Sequence, residues 1–328
     1  MAEKKGCILC VDDEPNILRS LTWLLQKEFE VITAASGQDG LQLIGLHDFD
    51  VVISDQRMPG MMGSEFLREV RKISPRSIRI LLTGYSDLQA ILRSVNDSEV
   101  FRFINKPWKI DELPAIVAEA ARIAKAHPYT DTVLENTVVS EPEPELISDA
   151  ILVIDDESAV ANHLKQELGQ ALNVVHVRNI AEAVAAFSEQ EIGIILSDTR
   201  VANVDTTALL RMLKQQYPDI VSVVYTAATD SSDVISLINQ GQIFRFIPKP
   251  VKSRILALAI TAAARKRRQL KSNPELARRH AVDDIGQATK LAFGESLQLT
   301  AQKAQSNGES HSFIQKIGSS FKRLFGGH

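Results

Sequence analysis

Short runs of aliphatic and β-branched residues alternate along this chain with longer stretches whose apolar positions recur every three or four residues. In the first third the short runs are ILCV (8–11), EVITA (30–34), VVIS (51–54), SIRILL (77–82) and VFRFI (100–104). Such runs fit strands, and their nearly continuous apolar character fits strands covered on both faces. The stretch Asn16–Lys27 carries apolar residues at 17, 18, 21, 24 and 25, one face of a helix, and Gly63–Ile73 and Ile110–Ala126 are also read as helical. Strand and helix in alternation predict a parallel sheet with helices on both sides. About 120 residues per set of five strands predicts a doubly wound, flavodoxin-like α/β fold.

The pattern then repeats. VDDEP at 11–15 returns as IDDES at 154–158, and ISDQR at 53–57 as LSDTR at 196–200. LLTG at 81–84 returns as VYTA at 224–227, and FRFINKP at 101–107 as FRFIPKP at 244–250, every pair offset by 143 residues. A duplication with no net insertion between motifs accounts for this. The organisation expected is one domain over 6–127, an acidic proline-containing linker over 128–147 and a second domain over 148–270. A flexible tail over 271–311 and an amphipathic basic helix over 312–325 follow. The EPEPE run at 141–145 supports an extended, solvated linker, while TVLENTVV at 132–139 fits either a strand or a loose segment.

Composition narrows the class. Hydrophobic residues at 45% and charged residues at 24% describe a globular chain. No run approaches the ~20 apolar residues that cross a bilayer. MAEKKG followed by CILCV is too short an apolar core for a secretory signal, so a cytoplasmic location is expected. The two cysteines, Cys7 and Cys10, lie three apart on a strand and so face opposite sides of the sheet. That favours packing over redox chemistry. The net charge of −4 is uneven: from Arg265 onward twelve basic residues stand against five acidic ones. Any nucleic-acid or membrane contact therefore rests on the tail. RKRRQLK at 265–271 is read as a solvated helix end, where cations are favoured.

The polar residues that carry chemistry stand just past the carboxyl ends of strands: Asp12 and Asp13, Asp55, Thr83 and Lys106 in the first copy. Asp155, Asp156, Asp198, Thr226 and Lys249 hold the same places in the second. In a doubly wound sheet these ends share one edge, where ligands bind. Carboxylates gathered there repel unless a cation joins them, and an all-oxygen set suits Mg²⁺. A lysine and a threonine hydroxyl opposite can receive phosphoryl oxygens, and the implied product is an aspartyl phosphate. Taken singly, an aspartate at a strand end is an ordinary cap and a Lys-Pro an ordinary turn. Two complete sets in the same order outweigh that reading.

This DD…D…T…K arrangement, twice over, resembles the receiver domain of two-component response regulators across roughly Gly6–His127 and Ser148–Leu270. The resemblance implies that Asp55 and Asp198 accept phosphate from a histidine kinase or a phosphotransfer protein. It implies Mg²⁺ bound by Asp13 and Asp156 directly, by Asp12 and Asp155 through water, and by the acceptors and the backbone carbonyls of Arg57 and Arg200. Lys106 and Lys249 would contact the phosphoryl group, and Thr83 with Phe103, and Thr226 with Phe246, would switch together. The second copy departs in places: MPGMMG at 58–63 becomes VANVDT at 201–206, Pro15 becomes Ser158 and Gly84 becomes Ala227.

Beyond Leu270 the sequence carries no helix-turn-helix, zinc spacing or P-loop signature, so output through protein contacts is expected and nucleic acid is not. The chain reads as a phosphoacceptor switch rather than an enzyme, its downstream partner unknown. Two rival readings are a phosphate sink that drains a kinase and a tail-targeted adaptor with one degenerate copy. Residues 312–325, SFIQKIGSSFKRLF, place Phe313, Ile314, Ile317, Phe321, Leu324 and Phe325 on one helical face with basic residues opposite. That face suits a peripheral position at the inner membrane surface or a partner groove.

Overall fold

The computed structural model describes residues 6–84, 100–126, 147–169, 172–227, 238–239 and 243–279. Two compact units result, each built on its own five-stranded sheet. The linker at 128–146 and the amphipathic segment at 312–325 lie outside the described residues.

The first unit runs β1 (Cys7–Val11), α1 (Pro15–Leu25), β2 (Glu30–Ala34), α2 (Gly37–Leu46), β3 (Val51–Asp55), α3 (Gly63–Ile73), β4 (Ile78–Thr83), β5 (Arg102–Asn105) and α4 (Glu112–Ala126). Its strands lie in the order β2-β1-β3-β4-β5, all parallel. The predicted elements are present with ends moved by one or two residues. Proline opens α1 at its first turn, where a missing N–H costs nothing. Ser36 caps α2 by accepting from the Asp39 amide. Of the apolar face predicted for α1, Leu21 and Leu25 are buried and Ile17, Leu18 and Leu24 partly so, packed on Ile8, Cys10, Ile53 and Ile80. Cys10 is buried in that layer and Cys7 only partly, as packing residues would be.

The second unit runs β6 (Ala150–Ile154), α5 (Ser158–Leu168), β7 (Val174–Val177), α6 (Ile180–Glu189), β8 (Ile192–Ser197), β9 (Arg200–Val201), β10 (Val204–Asp205), α7 (Thr207–Gln216), β11 (Val221–Thr226), β12 (Arg245–Pro248), α8 (Ser253–Ser272) and α9 (Pro274–Arg279). The sheet order is β12-β11-β8-β6-β7, again parallel. Both sheets are therefore the doubly wound arrangement that the hydrophobic pattern predicts. In each, the order reverses between two central strands, β1 and β3 or β6 and β8. The carboxyl ends of those strands flank a crevice.

Three features depart from expectation. The VANVDT segment forms an antiparallel hairpin, β9 with β10. A short helix, α9, lies where the flexible tail was expected to begin, with Leu276 and Ala277 buried. RKRRQLK does close α8, and Arg268 and Lys271 are exposed there, but Arg267 is not solvated. The Arg267 side chain is 7% exposed and pairs with Asp149 at 2.8 Å, with Glu191 at 3.5 Å and with Asp219. Lys271 pairs with the same Asp149 and Glu191 at 3.1 and 2.6 Å. These acids precede β6, β8 and β11, so they cluster at the amino edge of the sheet and draw the helix cations onto it. Burial alone would raise Asp149, but the hydrogen bonds from Arg267 and Lys271 prevail and hold its carboxyl below the usual range. Among the described residues no helix is long and apolar enough to cross a membrane.

Candidate functional site

In the first unit the register sets Val11 beside Ser54 and Thr83 beside Asn105. The next residues of these strands, Asp12, Asp55 and Lys106, therefore meet at the carboxyl edge. Asp12 is fully buried and Asp55 nearly so. The Lys106 ammonium lies between them, 2.8 Å from Asp12 Oδ2 and 2.6 Å from Asp55 Oδ1. Backbone amides fix the other oxygens: Glu14 N–H donates to Asp12 at 2.8 Å and Arg57 N–H to Asp55 Oδ2 at 2.6 Å. Burial raises the Asp12 carboxyl above its ordinary value in spite of the lysine. The same burial would lower Lys106, but its hydrogen bonds to the two carboxylates prevail and raise it. A lysine so held stays charged at every physiological pH.

The second unit repeats this placement. Lys249 Nζ stands 2.7 Å from both Asp155 and Asp198, and Glu157 N–H donates to Asp155 at 2.9 Å. Burial would raise Asp198, but hydrogen bonds from Lys249 and Thr226 lower it below the ordinary carboxylate range. Lys249 is raised, its bonds to the two acids outweighing burial. Thr83 and Thr226 are buried, and the backbone carbonyl of each accepts from the amide of the site lysine, at 2.9 and 2.8 Å. Phe103 and Phe246 are buried on the neighbouring strand. Asp13 and Asp156 are exposed at the rim, as are Arg57 and Arg200.

Of the residues singled out in the sequence, Asp12, Asp55 and Lys106 are in contact, as are Asp155, Asp198 and Lys249, each lysine joining two carboxylates. Among the described residues no cluster of three His, Cys, Asp or Glu side chains is drawn together tightly enough to hold a metal ion. The donors available at each crevice are nonetheless all oxygen: two adjacent aspartates, Asp55 or Asp198, and a backbone carbonyl. That is the chemistry Mg²⁺ takes, and the residues fit the ion in kind.

Several contributors escaped the sequence reading. Thr199, one residue past Asp198, donates to it from its amide at 2.6 Å and from its hydroxyl at 3.2 Å. Ala202 N–H, at the tip of the β9–β10 hairpin, donates to Asp156 at 2.9 Å. Lys249 stands 5.0 Å over the face of Tyr225, a cation–π contact, where the first copy has Leu82. The difference was visible as LLTG against VYTA. Beside Lys106 opens a cleft of about 810 Å³, lined by Ile17, Trp23, Leu24, Pro107, Trp108 and Ile110 among others. Trp23 and Ile110 are 62% and 66% exposed there.

Each unit is thus a doubly wound α/β module with a lysine-bridged acidic site at its switch point. The family model of the response regulator receiver domain matches residues 8–118 and again 151–261, and the chain belongs to that family. Among curated proteins, the hydrogenase transcriptional regulatory protein HoxA of Cupriavidus necator is 38% identical over 120 residues, 37% of this chain and 25% of that protein. The transcriptional regulatory protein GlrR of Escherichia coli K12 is 29% identical over 196 residues, 56% of this chain and 43% of its own length. The chain therefore spans less than half of either regulator. Among solved structures, the signal receiver domain of an HD domain-containing protein from Pseudomonas fluorescens Pf-5 is 31% identical, covering 38% of this chain and 93% of that one with a TM-score of 0.37.

Proposed function

We propose that the chain is a tandem phosphoacceptor switch in which Asp55 and Asp198 each take one phosphoryl group and pass the change on through altered protein contacts. The observation that carries this reading is the lysine bridge, made twice: one ammonium within 2.8 Å of both a buried aspartate and the acceptor. A carboxylate oxygen attacks phosphorus, a P–O bond forms, and the P–N bond to the donor histidine breaks with its electron pair left on the imidazole. The ammonium already beside the acceptor meets the phosphoryl oxygens that arrive there. It offsets their charge without rearrangement, as preorganised charge does. Thr83 and Thr226 supply the hydroxyls that the new group would draw, with Phe103 and Phe246 buried on the neighbouring strand.

Mg²⁺ is the cofactor of this reading and would be held by Asp12, Asp13, Asp55 and the Arg57 carbonyl, and by Asp155, Asp156, Asp198 and the Arg200 carbonyl. When bound, it offsets the charge of the transferring phosphoryl group. The donor is a histidine kinase or a phosphotransfer protein. The apolar cleft that shares Lys106 gives such a partner a landing surface next to Asp55. In the second copy the positions of Trp23, Trp108 and Ile110 are Gln166, Val251 and Ser253, so the donor is expected to load the first copy more readily. The amphipathic segment 312–325 is assigned the output or targeting contact, at a membrane surface or a partner groove.

Beryllofluoride with Mg²⁺, counted by ¹⁹F resonance, tests the acceptor assignment. Two bound signals are expected, with one lost in Asp55→Ala and the other in Asp198→Ala. Bound signals that survive both substitutions together overturn it.

A further inference from the structure

The two copies differ in what holds the switch threonine. In the second, the Thr199 hydroxyl lies 2.8 Å from the Thr226 hydroxyl and 3.2 Å from Asp198 Oδ1. Thr226 itself hydrogen-bonds the Asp198 carboxylate. Two hydroxyl protons serve these three contacts with no phosphoryl group present: Thr226 donates to Thr199 while Thr199 donates to Asp198, or Thr199 donates to Thr226 while Thr226 donates to Asp198. In the first copy the matching position is Gln56, and its amide turns the other way. Gln56 Nε2 donates to Ser64 Oγ at 3.3 Å and its Oε1 accepts from Ser64 N–H at 3.1 Å, at the start of α3. Thr83 there donates to the Gly84 carbonyl at 3.2 Å.

We infer that Thr199 is a positioning residue that holds the Thr226 hydroxyl at the acceptor carboxylate before phosphorylation, a task left to the phosphoryl group in the first copy. A buried hydroxyl keeps a partner whenever one is in reach, because leaving it unpaired away from water carries its full desolvation cost. Thr226 is 2% exposed, so water is a poor rival to Thr199 and Asp198. The second copy's switch is therefore set partly by its own sequence. Its response to phosphate is correspondingly smaller than the first copy's.

This rests on Asp198 being an acceptor only for its meaning in signalling; the positioning itself is read with no ligand. In the unphosphorylated full chain carrying ¹³C-methyl threonine, three-bond couplings of the γ-methyl report χ1. Thr226 should show a single rotamer in wild type, rotamer averaging in Thr199→Val, and the single rotamer again in Thr199→Ser. Thr83 should be unchanged throughout. Thr226 couplings in Thr199→Val equal to wild type overturn the proposal; if that variant does not fold, Thr199→Ala is read the same way. With beryllofluoride and Mg²⁺, the Thr226 methyl should shift less than that of Thr83 in wild type and more in Thr199→Val. Equal wild-type shifts that Thr199→Val leaves unchanged also overturn it. Failure of beryllofluoride to bind at Asp198 counts against the acceptor reading alone, since the couplings need no ligand.

Discussion

After Asp55 the chain turns through Met58–Met62 into α3, whereas after Asp198 it folds into the β9–β10 hairpin. Both loops close with the same backbone bond, Gly63 N–H to the Gln56 carbonyl and Thr206 N–H to the Thr199 carbonyl, each 3.0 Å. Both place a residue at positive φ at the same point, Gly60 at 79° and Asn203 at 62°. The difference lies in packing against Asp55 and Asp198. A Cβ on Gly63 would run into the carbonyl oxygen of Asp55. The second copy carries Thr206 at this position, and its hydroxyl donates to the Asp198 carbonyl at 2.6 Å. A serine hydroxyl donates to this carbonyl in both copies, and Thr206 adds a second hydroxyl donor where the first copy has only the close approach of Gly63. The comparison teaches that one site can keep its charges while its loop is rebuilt.

The largest expected effect tests the charges common to both copies. Lys106→Met should slow modification of Asp55 by acetyl phosphate on the order of a hundredfold, the usual cost of removing a preorganised donor. Lys249→Met should slow Asp198 less, because Thr199 still donates twice to that carboxylate. Rates in single-acceptor backgrounds measure this, and equal losses would break the comparison.

Next comes the loop. Gly63→Ala should destabilise the first unit by about 1–3 kcal/mol, the range for forced overpacking. Backbone cannot step aside as a flexible side chain can. Thr206→Ala should cost the second unit about 1 kcal/mol, one hydrogen bond. Urea unfolding of the full chain, followed by probes in each unit, separates the two. A Gly63→Ala variant as stable as wild type would mean that the first loop has room it is not credited with.

A pH slope tests the second unit alone. Lys214 is buried, donates to the Pro218 and Ile220 carbonyls at 2.7 and 2.8 Å, and burial brings its pKa down to about 7. The first copy has Arg71 at this position, which does not deprotonate. Between about pH 7 and the ordinary lysine value the unfolded chain binds more protons than the folded one, so stability of the second unit rises with pH. Lys214→Met should flatten that rise. A slope unchanged in the variant would remove Lys214 as its source.

The sheets and the two aspartate–lysine clusters were legible in sequence because their residues stand at strand ends and a fixed offset repeats them. The β9–β10 hairpin was not, because its turn is Ala202-Asn203 rather than an Asn-Gly or Asp-Gly signal. Left-handed backbone costs a residue such as Ala202 roughly 1 kcal/mol, and nothing local announces it. The burial of Arg267 was hidden for another reason: its partner Asp149 lies 118 residues away, and local charge patterning shows only a basic helix end. Thr199 was in plain view as the substitution for Gln56, but its role needed the position of Thr226. Proline spacing and an amphipathic face supported the linker and the 312–325 segment, and both fall outside the described residues.

The most direct test of the two-acceptor account is intact-mass analysis after acetyl phosphate with Mg²⁺. Wild type should gain two phosphoryl groups, Asp55→Ala and Asp198→Ala one each, and the double variant none. A double variant still modified at an aspartate, or a single substitution that abolishes both modifications, would contradict it.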